Sequence, residues 1–481
     1  MFSKTLANIK KKGDRMTKTT LIAFAILTSL SIYAQNISGK WNGILKVQGT
    51  QLKLVFNITK TDKGYSSTMD SPDQGAKGIP VTSTSYENSI LKLEISSAGI
   101  QYEGTLDKEN VFVGTFKQAG QSYPLNLTKE KVEKEKVIRP QEPTKPYPYY
   151  SEDVKFENKK DKIVLAGTLT LPEKDGSFPS VILISGSGPQ NRDEELLGHK
   201  PFLVLADHLT KNGIAVLRFD DRGTAESTGN FKTATSLDFA RDVEFAIKYL
   251  QTRKEINKNQ IGLIGHSEGG IIAPMVAAES KDIKFIVLLA GTGIRGDQLL
   301  LLQQELIGKA SGISDADLQK AKVINKGAFD IVLKSSNTDS LRIELTSYIK
   351  QAIKDNPESE KPAGISEDDY VKLQVNQLTS PWMKYFIKYN PAPILEKVKC
   401  PVLAINGEKD LQVPAKINLD TIKKALEKGG NENVTTKELS NLNHLFQECK
   451  TGSPSEYATI EQTFSPIALE ETSNWILKQI K

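Results

Sequence analysis

The sequence predicts an α/β domain with a mostly parallel sheet, helices on both faces and a helical cap, preceded by a small antiparallel β domain. From about residue 151 onward, short apolar segments alternate with helical segments, as in right-handed βαβ crossovers. Residues 37–128 instead alternate apolar and polar residues between Gly, Asn and Asp turns, which is typical of an antiparallel barrel or sandwich. A chain of 481 residues is long enough for two or three domains.

The first 34 residues have the composition of a secretory signal. Ile22–Tyr33 is an uncharged apolar run that follows Lys18 and is too short to span a bilayer comfortably, and we expect cleavage after Ala34. Met16 is an alternative start, because the segment after it still supplies a basic residue before the apolar run. The prediction is therefore an exported protein, periplasmic or secreted, with no membrane segment after cleavage.

Charge and cysteine content argue against several classes of function. Residues 1–34 carry six basic side chains and one acidic side chain, a net charge of +5, which equals the formal net charge of the whole chain. The mature protein is therefore near neutral, and nothing favours binding to nucleic acid or to an anionic membrane. The two cysteines, Cys400 and Cys449, form no Cys-x-x-Cys pair, no His-Glu-x-x-His motif occurs, and neither a metal nor a cofactor is predicted.

The β domain offers no candidate chemistry. Its clearest strand is Gln51–Ile58, where every second residue is apolar, and similar short strands are expected at Leu91–Ile95 and Tyr123–Leu127. Residues 129–150 mix alternating charges with four prolines, cannot bury a core and are predicted to be a linker.

The α/β domain is expected to cover residues 151–481. Its predicted strands are 154–157, 163–171, 179–185, 214–219, 261–264, 285–290, 401–406 and 435–439, with helices near 202–212 and 236–251. Between about 293 and 398 the alternation stops, and Ser314, Ser366 and Ser380 each precede a helical segment as N-cap residues. An insertion of helices between two strands predicts a cap over one edge of the sheet.

The segment Gln260–Gly270 is the candidate centre of the chemistry. It joins the apolar strand 261–264 to a helical segment through Gly265-His266-Ser267-Glu268-Gly269, the Gly-x-Ser-x-Gly pattern of a nucleophile elbow. A serine on such a tight turn is crowded, so the positions two before and two after it must be glycine. The turn exposes the hydroxyl of Ser267 and directs N–H groups at a reacting carbonyl.

Chain order selects the partners of Ser267. Such a serine needs a histidine as base and a carboxylate to orient that base, and in this kind of fold they follow in the order Ser, acid, His. His444 is the only histidine downstream of the serine, in a loop after the last predicted strand. Asp410 is the predicted acid because a Gly-x-x-Asp turn follows the strand 401–406, and Glu408 in the same turn is the alternative.

Two backbone N–H groups are predicted to bind the oxyanion that forms when a carbonyl is attacked. One belongs to Glu268, which directly follows the nucleophile in the chain. The other belongs to Ser187, in the glycine-rich loop after the strand 179–185. Glycines in that loop allow the backbone to approach a substrate closely.

Three aromatic residues of the cap are candidates for substrate binding. Trp382, Tyr385 and Phe386 are spaced i, i+3 and i+4, so they share one face of the predicted helix Ser380–Tyr389. We predict that this face forms a wall of an acyl pocket. Packing within the cap is the alternative interpretation of the same spacing.

The segments of this domain that carry a family resemblance are SGSGPQNRDE, RFDDRGTAESTG, IGHSEGG, SPWMKYF, PVLAINGEKD and the loop that contains His444. Together they resemble the α/β-hydrolase superfamily, and exported bacterial carboxylesterases of the EstD type in particular. Serine-aminopeptidase-like hydrolases are similar at a greater distance. The resemblance implies that Ser267, Asp410 and His444 form the catalytic triad. It also matches Asp221 and Arg222 to an Asp-x-Arg-Gly turn that is more often structural than catalytic.

The predicted function is hydrolysis of small-molecule carboxylic esters through an acyl-enzyme, without a cofactor. A serine peptidase acting on short peptides would use the same residues and is the first alternative. The second alternative is a binding protein in which the hydrolase domain is inactive and the β domain carries the function. Neither the natural substrate nor the oligomeric state follows from the sequence.

Overall fold

The computed structural model describes residues 36–47, 50–74, 76–118, 121–134, 139–356 and 366–481. The predicted secretory signal, residues 1–34, lies outside these ranges. Within them, no helix combines the length and the apolar character needed to span a bilayer. The described chain forms two small N-terminal sheets and one large sheet flanked by helices.

The N-terminal domain consists of two antiparallel sheets, which confirms the predicted antiparallel β architecture. The first sheet has the order β1-β2-β3-β4 and the second β5-β6-β7-β8-β9. The strands are β1 (Gly39–Val47), β2 (Thr50–Thr61), β3 (Gly64–Ser71), β4 (Ala76–Pro80), β5 (Ser83–Glu87), β6 (Ile90–Ile95), β7 (Ile100–Leu106), β8 (Phe112–Gln118) and β9 (Gln121–Pro124). Alternate side chains face inward, so Trp41, Phe56 and Phe112 are buried in one core built from both sheets.

The large sheet has eight strands in the order β10-β11-β13-β12-β14-β15-β16-β17. The strands are β10 (Tyr150–Asn158), β11 (Ile163–Leu171), β12 (Phe178–Ile184), β13 (Ala215–Phe219), β14 (Ile256–His266), β15 (Ile283–Leu289), β16 (Val402–Gly407) and β17 (Val434–Leu439). All pairings from β13 to β17 are parallel, while β10 and β11 add an antiparallel edge. The predicted mostly parallel sheet is confirmed. Strand β14 begins five residues before the predicted strand 261–264, and the prediction missed this start because residues 257–260 are polar.

Helices cover both faces of this sheet. They are α1 (Pro201–Lys211), α2 (Ser236–Thr252), α3 (Gly269–Glu279), α10 (Ala415–Lys428) and α11 (Pro466–Gln479). On one face α2, α3 and α10 contribute Val243, Ile272 and Ile422 to an apolar layer. On the other face α1 and α11 contribute Leu205 and Ile476 to a second layer. Burial on both sides explains why the central strands are continuous apolar runs.

The described residues between β15 and β16 form six helices, in the region predicted to form a cap. They are α4 (Gly296–Ala310), α5 (Asp315–Lys334), α6 (Thr338–Asp355), α7 (Glu367–Leu378), α8 (Pro381–Lys388) and α9 (Ala392–Leu395). The hydroxyls of Ser314, Ser366 and Ser380 accept hydrogen bonds from the third backbone N–H beyond them, at the starts of α5, α7 and α8. These helices share an apolar cluster of their own, which includes Leu345 and Val375.

Arg139 fixes the end of the predicted linker to the α/β domain. Its buried guanidinium donates hydrogen bonds to four backbone carbonyls, including that of Ala458 at 2.8 Å and that of Gly198 at 3.3 Å. Gln141 pairs with the backbone of Phe464, donating to its carbonyl at 2.7 Å and accepting from its N–H at 3.0 Å. The chain from Arg139 onward is therefore held against the α/β domain.

We expect Arg139→Met to lower the melting temperature of the α/β domain by several degrees. The substitution keeps an apolar stem but leaves four carbonyls without a charged donor, and one hydrogen bond to a charged group contributes about 1.5–3 kcal/mol. Scanning calorimetry measures the change. Arg342→Met is the matched control, because Arg342 is exposed on the cap and bonds Asn376 at the surface. An unchanged midpoint in Arg139→Met would show that water replaces these bonds without loss.

Candidate active site

Ser267 lies between the end of β14 and the start of α3. Its φ angle is 52°, in the left-handed region that a serine rarely adopts. The backbone N–H of Ser267 donates to the carbonyl of Leu289 at 2.9 Å, which holds the turn against β15. A strained backbone of this kind persists only where the surrounding structure enforces it.

The two glycines of the Gly-x-Ser-x-Gly motif are required by close backbone contacts. A Cβ atom on Gly265 would lie 1.9 Å from the carbonyl oxygen of Gly269. A Cβ atom on Gly269 would lie 2.1 Å from the carbonyl oxygen of Ile184, in β12. Neither contact is relieved by a flexible side chain, because both involve backbone atoms. The turn therefore admits no side chain at these positions.

His444 and Asp410 meet at the carboxyl edge of the sheet. The Nδ1 of His444 donates to Oδ2 of Asp410 at 2.7 Å, and both side chains are buried. The other carboxylate oxygen of Asp410 accepts from the backbone N–H groups of Gln412 and Val413, both at 2.8 Å. A proton on Nδ1 leaves Nε2 as the basic nitrogen of the ring.

The alternative acid, Glu408, does not bond His444. Its carboxylate accepts instead from the backbone N–H of Asn441 at 2.9 Å, in the loop after β17. The structure therefore pairs His444 with Asp410.

A cavity of about 270 Å³ is lined by both Ser267 and His444. The predicted pocket residues Trp382 and Phe386 also line it, with their rings stacked at a centroid distance of 5.0 Å. Tyr385 is not among the described residues that line this cavity. It stacks on Tyr389 at 5.8 Å. Around the helix axis Tyr385 points about 60° away from Trp382 and about 100° away from Phe386.

The two predicted oxyanion donors have N–H groups that are available for a ligand. Among the described residues, neither the N–H of Glu268 nor that of Ser187 has a hydrogen-bond partner. Ser187 lines the cavity, and Glu268 takes a helical conformation at the start of α3. An anionic oxygen next to Ser267 would find donors of this kind favourable.

The side chain of Glu268 connects the elbow to the cap, a feature that the sequence did not reveal. Its Oε1 accepts from the indole N–H of Trp382 at 2.8 Å and from the hydroxyl of Ser236 at 2.6 Å. Burial raises the pKa of this carboxyl, and hydrogen bonds from Ser236, Trp382 and Ser187 oppose that shift without cancelling it. Trp382 is therefore fixed over the cavity by the residue that follows Ser267.

Sequence reasoning also missed Glu194, which contacts the elbow through His266. The Nδ1 of His266 lies 2.9 Å from Oε1 of Glu194, and both side chains are buried. The Nε2 of His266 lies 2.9 Å from the backbone carbonyl of His444. No local pattern marks Glu194, since 72 residues separate it from His266 along the chain.

Asp221 and Arg222 support the site without lining the cavity. Asp221 accepts from the hydroxyl of Ser185 at 2.8 Å and from the N–H of Gln190 at 2.9 Å, which shapes the loop that contains Ser187. Burial raises the pKa of Asp221 well above its ordinary value. Arg222 is paired with Asp242 at 2.7 Å. Within the described ranges, no cluster of three or more His, Cys, Asp or Glu side chains could hold a metal ion.

The sequence is similar to those of known hydrolases. The family model described as "BAAT / Acyl-CoA thioester hydrolase C terminal" matches residues 242–447. Esterase EstD of Thermotoga maritima is 26% identical over 338 residues, 69% of this chain and 70% of the esterase. The mitochondrial acyl-coenzyme A thioesterase 2 of Rattus norvegicus is 28% identical over 167 residues, 34% of this chain and 32% of that protein.

Solved structures of esterases cover a similar share of the chain. An esterase of Pyrococcus furiosus is 17% identical, covers 73% of this chain and 100% of its own, and has a TM-score of 0.42. Est1E of Butyrivibrio proteoclasticus, solved with ferulic acid, is 17% identical, covers 68% of this chain and 99% of its own, and has a TM-score of 0.39. The strand order of the large sheet is that of an α/β-hydrolase fold, and the sequence matches support a hydrolase enzyme.

Proposed function

We propose that this chain hydrolyses carboxylic esters through an acyl-enzyme formed on Ser267. The observation that carries the proposal is the 2.7 Å contact between His444 and Asp410, on the cavity that Ser267 also lines. A histidine oriented in this way is a general base for a serine hydroxyl.

The proposed reaction has two steps. His444 Nε2 removes the hydroxyl proton as Ser267 Oγ bonds to the ester carbonyl carbon, and the resulting oxyanion is held by the N–H groups of Glu268 and Ser187. Collapse of this intermediate breaks the bond to the alcohol, which leaves with the proton from His444. Water then attacks the acyl-enzyme in the same manner, and the carboxylic acid and Ser267 are released.

The lining of the cavity favours small, uncharged substrates. A volume of about 270 Å³ is roughly nine times the 30 Å³ that a water molecule occupies in the liquid. Leu299, Leu300 and Val413 add apolar surface to that of Trp382 and Phe386. Among the described residues that line the cavity there is neither Lys nor Arg, so the phosphates of coenzyme A would find no lysine or arginine partner there.

The peptidase alternative is less well supported by this cavity. An aminopeptidase needs a carboxylate that can bind the ammonium group of its substrate. Glu194 is the single acidic side chain among the described lining residues. One of its carboxylate oxygens already contacts the Nδ1 of His266 at 2.9 Å and accepts from the N–H of Gly186 at 2.7 Å. We therefore favour esters over peptides as substrates.

Three substrate series with matched acyl groups test the proposal on the purified protein without residues 1–34. We expect turnover of 4-nitrophenyl esters, with acyl-coenzyme A and aminoacyl 4-nitroanilides hydrolysed at least tenfold more slowly in kcat/KM. A preference for the anilides would favour the peptidase. Absence of turnover in all three series, together with no labelling of Ser267 by a fluorophosphonate, would favour the inactive binding protein.

We also propose that residues 1–34 direct export to the periplasm or the medium. The support is the sequence alone: a basic start, an apolar run and a small residue before a polar stretch. Expression of the full chain in a bacterium, followed by fractionation and N-terminal sequencing, tests this. A cytoplasmic protein with an intact N-terminus would contradict it.

We expect Trp382→Ala to shift the preferred acyl chain to greater length. The indole lines the cavity, so its removal creates apolar space that a longer acyl chain fills. The ratio of kcat/KM for an octanoyl ester to that for an acetyl ester should rise about tenfold. Tyr385→Ala is the matched control, because Tyr385 lies on the same helix outside the cavity lining. Equal acyl profiles in the two variants would contradict the pocket assignment.

A further inference from the structure

His266 is buried between two hydrogen-bond acceptors. One ring nitrogen is 2.9 Å from a carboxylate oxygen of Glu194, and the other is 2.9 Å from the backbone carbonyl of His444. A carbonyl offers no proton, and a carboxylate accepts only. Both contacts are hydrogen bonds when each nitrogen carries a proton, which makes the ring an imidazolium with Glu194 as its counter-ion.

The electrostatic surroundings of His266 agree with this state. Burial by itself lowers the pKa of the imidazole. The charge and hydrogen bond of Glu194, the carbonyl of His444 and the charge of Asp410 act in the opposite direction and leave the pKa raised. The ring centroids of His266 and His444 are only 4.9 Å apart, so the two histidines are in direct contact.

Glu194 extends this link to a third part of the site. The same oxygen that contacts His266 accepts from the N–H of Gly186 at 2.7 Å. Gly186 precedes Ser187, and a Cβ atom on it would lie 3.2 Å from the Cβ of Ser267. The loop proposed to bind the oxyanion is thus held within contact distance of the nucleophile through Glu194.

We infer that Glu194 and His266 are positioning residues, a buried charged link that holds the loop of Ser187, the elbow of Ser267 and the loop of His444 in register. The inference rests on the proposed function, because its purpose is to align the oxyanion donor, the nucleophile and the base. These three parts come from separate segments of the chain, and the link contacts each of them directly. Neither residue exchanges a proton with the substrate in this role.

Two substitutions of Glu194 distinguish a role in hydrogen bonding from a role in packing alone. Glu194→Met has a similar volume but offers no acceptor to His266 or Gly186. Glu194→Gln keeps an oxygen that can accept from both Gly186 and Nδ1 of His266, as Oε1 does in the wild type, but it removes the negative charge. We expect Glu194→Met to lower kcat for a 4-nitrophenyl ester about 100-fold, with KM changed less than threefold, because misplaced catalytic groups slow chemistry more than binding. Glu194→Gln should recover most of that loss.

The matched control is His208→Gln. His208 is a partly buried histidine on α1 that bonds Ser473 on α11, away from the cavity. We expect its kcat to equal that of the wild type. If Glu194→Met fails to fold, His266→Gln replaces it, because it breaks the link from the other side. Wild-type kcat in either folded variant, or equal losses in Glu194→Met and Glu194→Gln, would overturn the inference.

The charge state of His266 is tested without substrate by ¹⁵N NMR of histidine-labelled protein, which contains four histidines. We expect one buried histidine with both ring nitrogens protonated at neutral pH, and its conversion to a neutral ring in Glu194→Gln. A neutral His266 in the wild type would overturn the charged link. If the NMR signal is present while Ser267 resists fluorophosphonates and no ester is cleaved, the proposed function fails and the charged link stands.

Discussion

Ser267→Ala, His444→Ala and the double variant should all reduce ester turnover to nearly the same floor. Members of a serine triad act as a unit, and losses reach the order of 10⁶-fold in kcat in the strongest known case. His444 is held by Asp410 whether or not Ser267 is present, so Ser267→Ala should not disturb the rest of the site. Turnover of a 4-nitrophenyl ester, normalised to folded protein, measures the effect.

Ser280→Ala and His208→Ala are the controls for these variants. Ser280 caps the end of α3, the helix that follows Ser267, and His208 lies on α1. The two control substitutions therefore remove the same side-chain atoms as Ser267→Ala and His444→Ala, but at positions away from the cavity. Both controls should retain wild-type turnover. A tenth of wild-type activity in Ser267→Ala would show that another residue is the nucleophile.

The fold could be predicted because its signals are local. Buried parallel strands are apolar runs, and the helices between them have their own period, so the order of elements follows from the sequence. The elbow was also locally encoded, since the contacts of Gly265 and Gly269 are backbone contacts within one turn and its neighbouring strand. Chain order then singled out His444, and the structure pairs it with Asp410.

The missed contacts join distant parts of the chain through side chains. Glu194 reaches His266 across 72 residues, and Glu268 reaches Trp382 across 114. Glutamates of this kind are indistinguishable from surface charges in a single sequence, because their burial depends on loops packed by the whole domain. Tyr385 shows a different limit. Its helical spacing predicted that it lies near Trp382, but the spacing did not predict whether its side chain lines the cavity.

The segment between the two domains shows a further limit of prediction from amino-acid composition. Alternating charges and prolines in residues 129–150 indicate a segment that cannot form a core. They do not indicate that Arg139 and Gln141 bond backbone carbonyls of the neighbouring domain. A deletion that removes the β domain should therefore end before Arg139. Retention of the acyl profile after such a deletion would support substrate selection by the cap rather than by the β domain.

Asp410→Asn should lower kcat by about 10⁴-fold while leaving the fold intact. Oδ1 of Asp410 already accepts from two backbone N–H groups, so the amide oxygen of an asparagine stays there and its NH₂ group faces His444. That group donates to Nδ1, which moves the ring proton to Nε2 and removes the base from Ser267. Glu408→Gln is the matched control: Glu408 only accepts from the N–H of Asn441, and the amide oxygen preserves this bond, so kcat should change less than twofold. A larger loss in Glu408→Gln than in Asp410→Asn would reverse the assignment of the acid.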